Sequence, residues 1–396
     1  MKIDWLKPLL GHDGPFATVF LDATGGADAG DREVENRWRS ARRALVKEGA
    51  PDAVLASIED AVLRPTGVRG PHGRFLVAND EGVLVDRLVR TPPSVQQGTY
   101  GPVPVLIQAA KAADESVSRV IVTVDRQGAD IEWITAGGLD IGALTVEGDH
   151  DEVSKAQAGR MQQRRVEGRA EDSWERNAET VAAVVDRVAG EHQPEVVLMT
   201  GDKQALRLVH AALGKAVAPL VREIPGGARG NGVNRGALDA HIAEALEAVR
   251  AERRDAVLAD LAEGQGRGSG GVSSLPDVAA VLARGQVREL VITEAFVAAA
   301  QAEPRHLWVG PEPLQIGTSR DAIVALGATD EIHEYPAGVA MVRAALGQDA
   351  GLTYAPDGTV DLKDGVGAVL RWSDDETPSE STATMSGDNH RLHGAV

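Results

Sequence analysis

From Trp174 the large apolar residues continue at Ala178, Val181, Val185 and Val188, in steps of four, three, four and three. That is one face of an amphipathic helix, and such a helix must bury its face on a sheet or another helix. Immediately upstream, residues 155–169 hold Lys155, Arg160, Arg164, Arg165 and Arg169 against the single anion Glu167. An excess of four positive charges therefore precedes the helix, in a chain of 396 residues whose formal net charge is −18. The pattern predicts a basic loop at 154–170 feeding a helix closed by Gly190, where a C-terminal glycine is favoured. A concentrated cationic tip suits an anionic partner, because attraction depends on where charge sits and not on its sum.

Composition removes several function classes. The chain has no cysteine, which excludes disulfides, thiolate zinc sites and cysteine nucleophiles. Its ten histidines show no metal-ligand spacing, so neither a metal nor a cofactor is expected. No run of about 18 apolar residues is present, and Pro8 and Gly11 arrive too early for the core of a signal peptide. The expectation is a cytoplasmic protein with no membrane partner. Aromatic residues make up 3% of the chain, too few for extended base-stacking platforms.

Taken in order, the chain reads as α/β in three domains, each a mixed sheet with helices. The first, 1–115, has expected strands at 16–22, 73–78 and 82–89 and helices at 31–47 and 51–63. Glu33, Glu35 and Glu48 interleave the arginines of the first helix, which reads as a solvated face. The middle domain, 116–240, has strands at 119–125, 129–135, 139–146, 195–200 and 217–223, the basic loop with its helix, and a helix from Asp202 to Leu213. Its glycine-rich run 225–232 lacks the Walker spacing and lysine and reads as a flexible connection. Asp125 and Asp130 about Gly128 read as turn formers. A long helix, 238–263, leads into the third domain, 241–373. There a glycine- and serine-rich mobile loop, 264–274, precedes alternating short strands and helices of an α/β/α sandwich. The polar tail, 374–396, cannot bury enough surface to fold.

Three places in this order carry a resemblance. The basic stretch enters a helix bearing Asn177-Ala178-Glu179. The connection Pro225-Gly226-Gly227 runs on to Gly232-Val233-Asn234-Arg235-Gly236 and the long helix. Farther on come Gly285-Gln286-Val287, Gly327-Ala328-Thr329 and Gly365-Val366-Gly367. Together, over roughly 119–372, they resemble the archaeal and eukaryotic class-1 peptide-chain release factors and Pelota, and most of all the bacterial Balon-type ribosome hibernation factors. Residues 1–115 match only in size and place.

The resemblance implies a ribosome-binding factor of the A site, contacting ribosomal RNA there and at the peptidyl-transferase centre, with Lys155, Gln157, Gly159, Arg160, Arg164, Arg165 and Arg169 as RNA-binding residues. It also implies elongation factor Tu as the partner of the C-terminal domain. The family's catalytic Gly-Gly-Gln is missing. An ungapped alignment on Asn177-Ala178-Glu179 brings Lys155-Ala156-Gln157 to that place, and a three-residue gap brings Ala158-Gly159-Arg160. Neither register supplies the two glycines whose torsions the loop needs. The expectation is a non-catalytic hibernation or rescue factor with no catalytic residues. The alternative is an enzyme that cleaves peptidyl-tRNA or tRNA with a divergent loop.

Overall fold

The computed structural model describes residues 4–12, 14–24, 30–66, 68, 71–89, 91–93, 96–135, 141–147, 160–230, 233–302 and 305–378. Within these, the side chains of 4, 30, 31, 97, 113, 160–172 and 300–302 lie outside the description. The chain divides into two compact units, Glu115–Glu252 and the combination of Met1–Asp114 with Arg253–Val396. These units do not coincide with the expected 1–115, 116–240 and 241–373. The outer two segments share a core, and the middle unit extends to Glu252.

The middle unit is a five-stranded sheet in the order Ile141–Glu147, Gly128–Ile134, Arg119–Val124, Val196–Gly201, Val221–Glu223. The first two junctions are antiparallel and the last two parallel. Alternation along the central strands assigns each residue to one face. Val120, Val122, Val124, Val197 and Met199 pack under the helices Arg160–His192 and Lys203–Ala212. Ile121, Val196 and Leu198 meet Leu238, Ile242, Leu246 and Val249 of the helix Arg235–Gly266. The result is a three-layer arrangement in which the central strands are covered on both faces.

In the other unit, the strands Gly82–Val89, Gly73–Asn79, Phe16–Asp22 and Gln97–Gly101 form an antiparallel sheet. The strand Phe16–Asp22 explains why two chain segments meet here. Ala17, Val19 and Leu21 pack with Trp38, Leu45, Leu55 and Ile58 of the helices Gly30–Lys47 and Asp52–Val62. Phe16 and Phe20 point to the opposite face, into a core with Leu282, Leu290, Ile292, Met341 and Leu352. Those residues come from a second sheet, ordered Gly271–Ser273, Val366–Leu370, Val287–Thr293, Gly351–Ala355, and its helices. A bulge between Val287 and Glu289 places Val287 and Leu290 in that same core. A small sheet of Ile316–Gly317, His306–Val309 and His333–Pro336 completes this unit.

Two further expectations are corrected. Of the run 264–274, only 267–270 form a turn between regular elements. The long helix continues to Gly266, and Gly271–Ser273 pairs with Gly367–Val369. A Cβ on Gly264 would stand 2.6 Å from the backbone of Gly270 and Gly271, so glycine here permits a backbone-to-backbone crossing. The tail also begins later than expected. Asp374 and Glu376 pair with Arg284, at 2.5 and 2.9 Å, and Gln286 donates to the Thr377 hydroxyl at 2.8 Å. Residues 379–396 lie outside the described residues.

Candidate nucleic-acid interface

The basic stretch is helical where it is described. The helix starts at Arg160 and runs unbroken to His192, so Arg160, Arg164, Arg165 and Arg169 sit on a helix and not in the expected loop. Met161, Gln162, Gln163, Arg164, Arg165 and Glu167 are strong helix formers, and the lone Gly168 costs only about 1 kcal/mol. Reading the stretch by charge missed this propensity. Lys155, Gln157 and Gly159 lie outside the described residues, as do the side chains of the four arginines. The helix also passes Gly190. Gln193, in the left-handed region at φ 46°, and Pro194 stop it instead, with Gln193 N–H bonded to the carbonyl of Ala189 at 2.8 Å.

The buried face of this helix comprises Asn177, Ala178, Val181, Ala182, Val185, Val188 and Ala189. Trp174, one turn before Ala178, is half-buried. The guanidinium of Arg126 lies over its ring, 4.4 Å from the centroid. Asn177, 5% exposed, donates through Nδ2 to the carbonyl of Arg126 at 3.1 Å. Arg126 also reaches Asp202, Nη2 to Oδ2 3.6 Å. Asp202 caps the following helix by accepting from the backbone N–H groups of Gln204 and Ala205 at 2.9 and 3.1 Å. Burial pushes the Asp202 carboxyl up, but those two donors and Arg126 outweigh it and hold the group below the usual carboxylate range.

The turn that carries Arg126 is fixed in turn by Asp125. Its Oδ1 accepts from the N–H groups of Gln127 and Gly128, at 2.8 and 2.9 Å, and from Arg229 at 2.9 Å. The reading of Asp125 as a turn former agrees with this. Arg229, whose side chain is 12% exposed, also meets Asp130 at 3.5 Å and Glu147 at 2.6 Å. Burial opposes its charge, but Glu147, Asp125 and Asp130 outweigh that and raise its pKa. One guanidinium thus occupies the space that a cation would take among three carboxylates. Among the described residues no group of His, Asp or Glu side chains is arranged to hold a metal ion. No helix of the described residues is long and apolar enough to cross a membrane.

Arg229 belongs to the glycine-rich run expected to be flexible, whose described part, 225–230, is instead tied down. Besides the Arg229 ion pairs, Gly227 N–H donates to the Thr200 hydroxyl at 2.9 Å. A Cβ on Gly227 would come within 2.2 Å of that side chain. Arg229 and Arg126 escaped the sequence reading because each lies among turn residues, where a cation has no periodic neighbours to mark it. Asn177 left a signal: it is an amide on an otherwise apolar helix face.

Residues 118–267 match the family of bacterial archaeo-eukaryotic release factors, family 2, so this stretch is a relative of the release-factor and Pelota class. Two Mycobacterium tuberculosis proteins, named uncharacterized protein Rv2629 and uncharacterized protein MT2704, are each 27% identical over 381 residues, covering 94% of this chain and 97% of theirs. Among solved structures, an archaeal translation termination factor is 14% identical with a TM-score of 0.25, covering 93% of this chain and 96% of its own. Archaeoglobus fulgidus Pelota is 10% identical with a TM-score of 0.33, at 93% and 92% coverage.

Proposed function

We propose that this protein is a ribosome-binding translation factor that occupies the A site as a hibernation or rescue factor and performs no peptide-releasing chemistry. One observation carries this reading: the release-factor-like stretch keeps a cationic helix start where the family places its catalytic loop, yet has no Gly-Gly-Gln. In an otherwise acidic chain, Lys155, Gln157, Gly159, Arg160, Arg164, Arg165 and Arg169 are the residues proposed to meet ribosomal RNA. Elongation factor Tu is the proposed partner of the C-terminal part. Binding by a phosphate-contacting patch releases counterions, and each contact contributes roughly 0.7–0.9 to the log–log salt slope.

Co-sedimentation with vacant ribosomes across a salt series tests the reading. Three RNA-phosphate contacts give a slope near −2 to −3, by roughly the same increments. Replacing Arg160, Arg164 and Arg165 together by alanine flattens it and leaves thermal stability nearly unchanged. A triple variant that binds like the parent at every salt concentration removes the basic stretch from the mechanism. Release of peptide from programmed ribosomes, abolished by Gln157→Ala, would replace the non-catalytic reading with the cleavage alternative.

A further inference from the structure

We infer that Arg126, Trp174 and Asn177 form a positioning collar, which sets the direction in which the helix Arg160–His192 carries its basic end. The inference rests on the proposed function only for what that end meets; the collar itself is defined within the Glu115–Glu252 unit. Trp174 and Ala178 share one ridge of the helix, and the half-buried indole is the first described side chain of that ridge. Arg126 covers the ring. A buried amide at 177 is costly without a partner, and an apolar residue would serve packing as well. What the amide adds is direction, through its bond to the carbonyl of Arg126. The same turn is held from the other side by Asp125 with Arg229 and by Asp202 at the next helix cap. The helix is therefore braced at one level by three elements.

The space enclosed by Asp125, Trp174, Asn177, Gln204 and Leu208 is about 10 Å³, at the lower limit for a single water. The feature is a joint, not a ligand site. From Arg160 to Trp174 the helix rises about 21 Å, at 1.5 Å per residue. A tilt of about 10° at Trp174 shifts its start by about 4 Å, more than the length of a hydrogen bond. Placement of the cations then depends on the collar even though none of its members carries them.

The test is amide hydrogen exchange on the full chain, read separately over 160–173 and over the strand Val196–Gly201. Arg126→Ala should speed exchange over 160–173 by roughly two- to fivefold, the weight of an exposed cation–π contact. Trp174→Ala should speed it more, Trp174→Phe should restore it, and the strand should stay protected in all three. On vacant ribosomes, Trp174→Ala should weaken binding at an unchanged salt slope, because no cation is lost; a charge contact would change the slope instead. Unchanged exchange over 160–173 in Arg126→Ala overturns the collar, and that variant serves even if Trp174→Ala fails to fold. Faster exchange in a protein that never binds ribosomes supports the collar and overturns the proposed function.

Discussion

The two units reach a buried core by different routes. Glu115–Glu252 closes on one uninterrupted stretch of chain, and the main cluster on the two-helix side of its sheet buries Val, Ala, Leu, Ile and Met with no fully buried aromatic ring. It adds an ionic knot at one end, where Arg229 gathers Asp125, Asp130 and Glu147. The other unit draws on both outer segments and fills their common core with Phe16, Phe20, Phe75, Phe296 and Tyr354. Phe75 meets Phe20 edge-on at 6.0 Å and Trp5 at 5.9 Å. The difference teaches that local completeness lets a unit rely on small residues and directional polar ties, while a core assembled from distant segments depends on large apolar surfaces.

The sharpest way to break this comparison is to divide the chain. A fragment of residues 115–252 should melt cooperatively, whereas 253–396 alone should show no cooperative transition and should bind a hydrophobic dye. Cooperative melting of the second fragment would mean that the shared core is dispensable. Next in size are single core truncations. Leu290→Ala and Met199→Ala, both fully buried, should each cost about 2–5 kcal/mol by denaturant titration. The Leu290 change should raise exchange in the strand Phe16–Asp22 and leave Arg119–Val124 protected.

The ionic knot should count for less. Breaking a fully buried pair costs about 3–5 kcal/mol. The side chains of Asp130 and Glu147, however, are 45% and 66% exposed, so solvent screening reduces the expected loss for Arg229→Ala to about 1–3 kcal/mol. Arg229→Lys should recover only part of it, since an ammonium cannot fork to three carboxylates. The smallest effect is expected at the Asp202 cap, where Asp202→Ala should cost about 1 kcal/mol at neutral pH. Its carboxyl is held below the usual range in the fold. The stabilisation is therefore complete above the ordinary carboxylate value of about 3.9 and is lost as pH falls through the lower folded value. Parent and variant should converge below about pH 4. A gap that stays constant down to pH 2 would show that the charge of the cap is irrelevant.

Much of the fold was legible in the residues. Short apolar runs located Phe16–Asp22 and Arg119–Val124 to within a residue, and Asp202 announced its helix by its side-chain chemistry. The division into units was harder to see, although Phe16-Ala17-Thr18-Val19-Phe20-Leu21 carries apolar residues on both faces, and so calls for cover on both. Short strands such as Gln97–Gly101 and Gly351–Ala355 went unread because five residues, two of them glycine in the first and one in the second, leave little pattern. At the candidate interface the charges were plain, but the joint beneath them was not. Arg126 and Arg229 act through partners 48 and 104 residues away in the chain, Trp174 and Asp125, and such pairings leave no periodic trace.

The antiparallel sheet built around Phe16–Asp22 has a consequence for the timetable of synthesis. Its helix-covered face can be completed by the first 114 residues, because Trp38, Leu45, Leu55 and Ile58 are already made. The opposite face, with Phe16, Phe20, Phe75 and Val77, must await Leu290, Leu352 and the closing strand Val366–Leu370. At typical elongation rates of about 5–20 residues per second, that interval is roughly 10–50 s. A nascent chain halted near residue 115 should therefore hold a trigger-type chaperone, and the finished chain should release it.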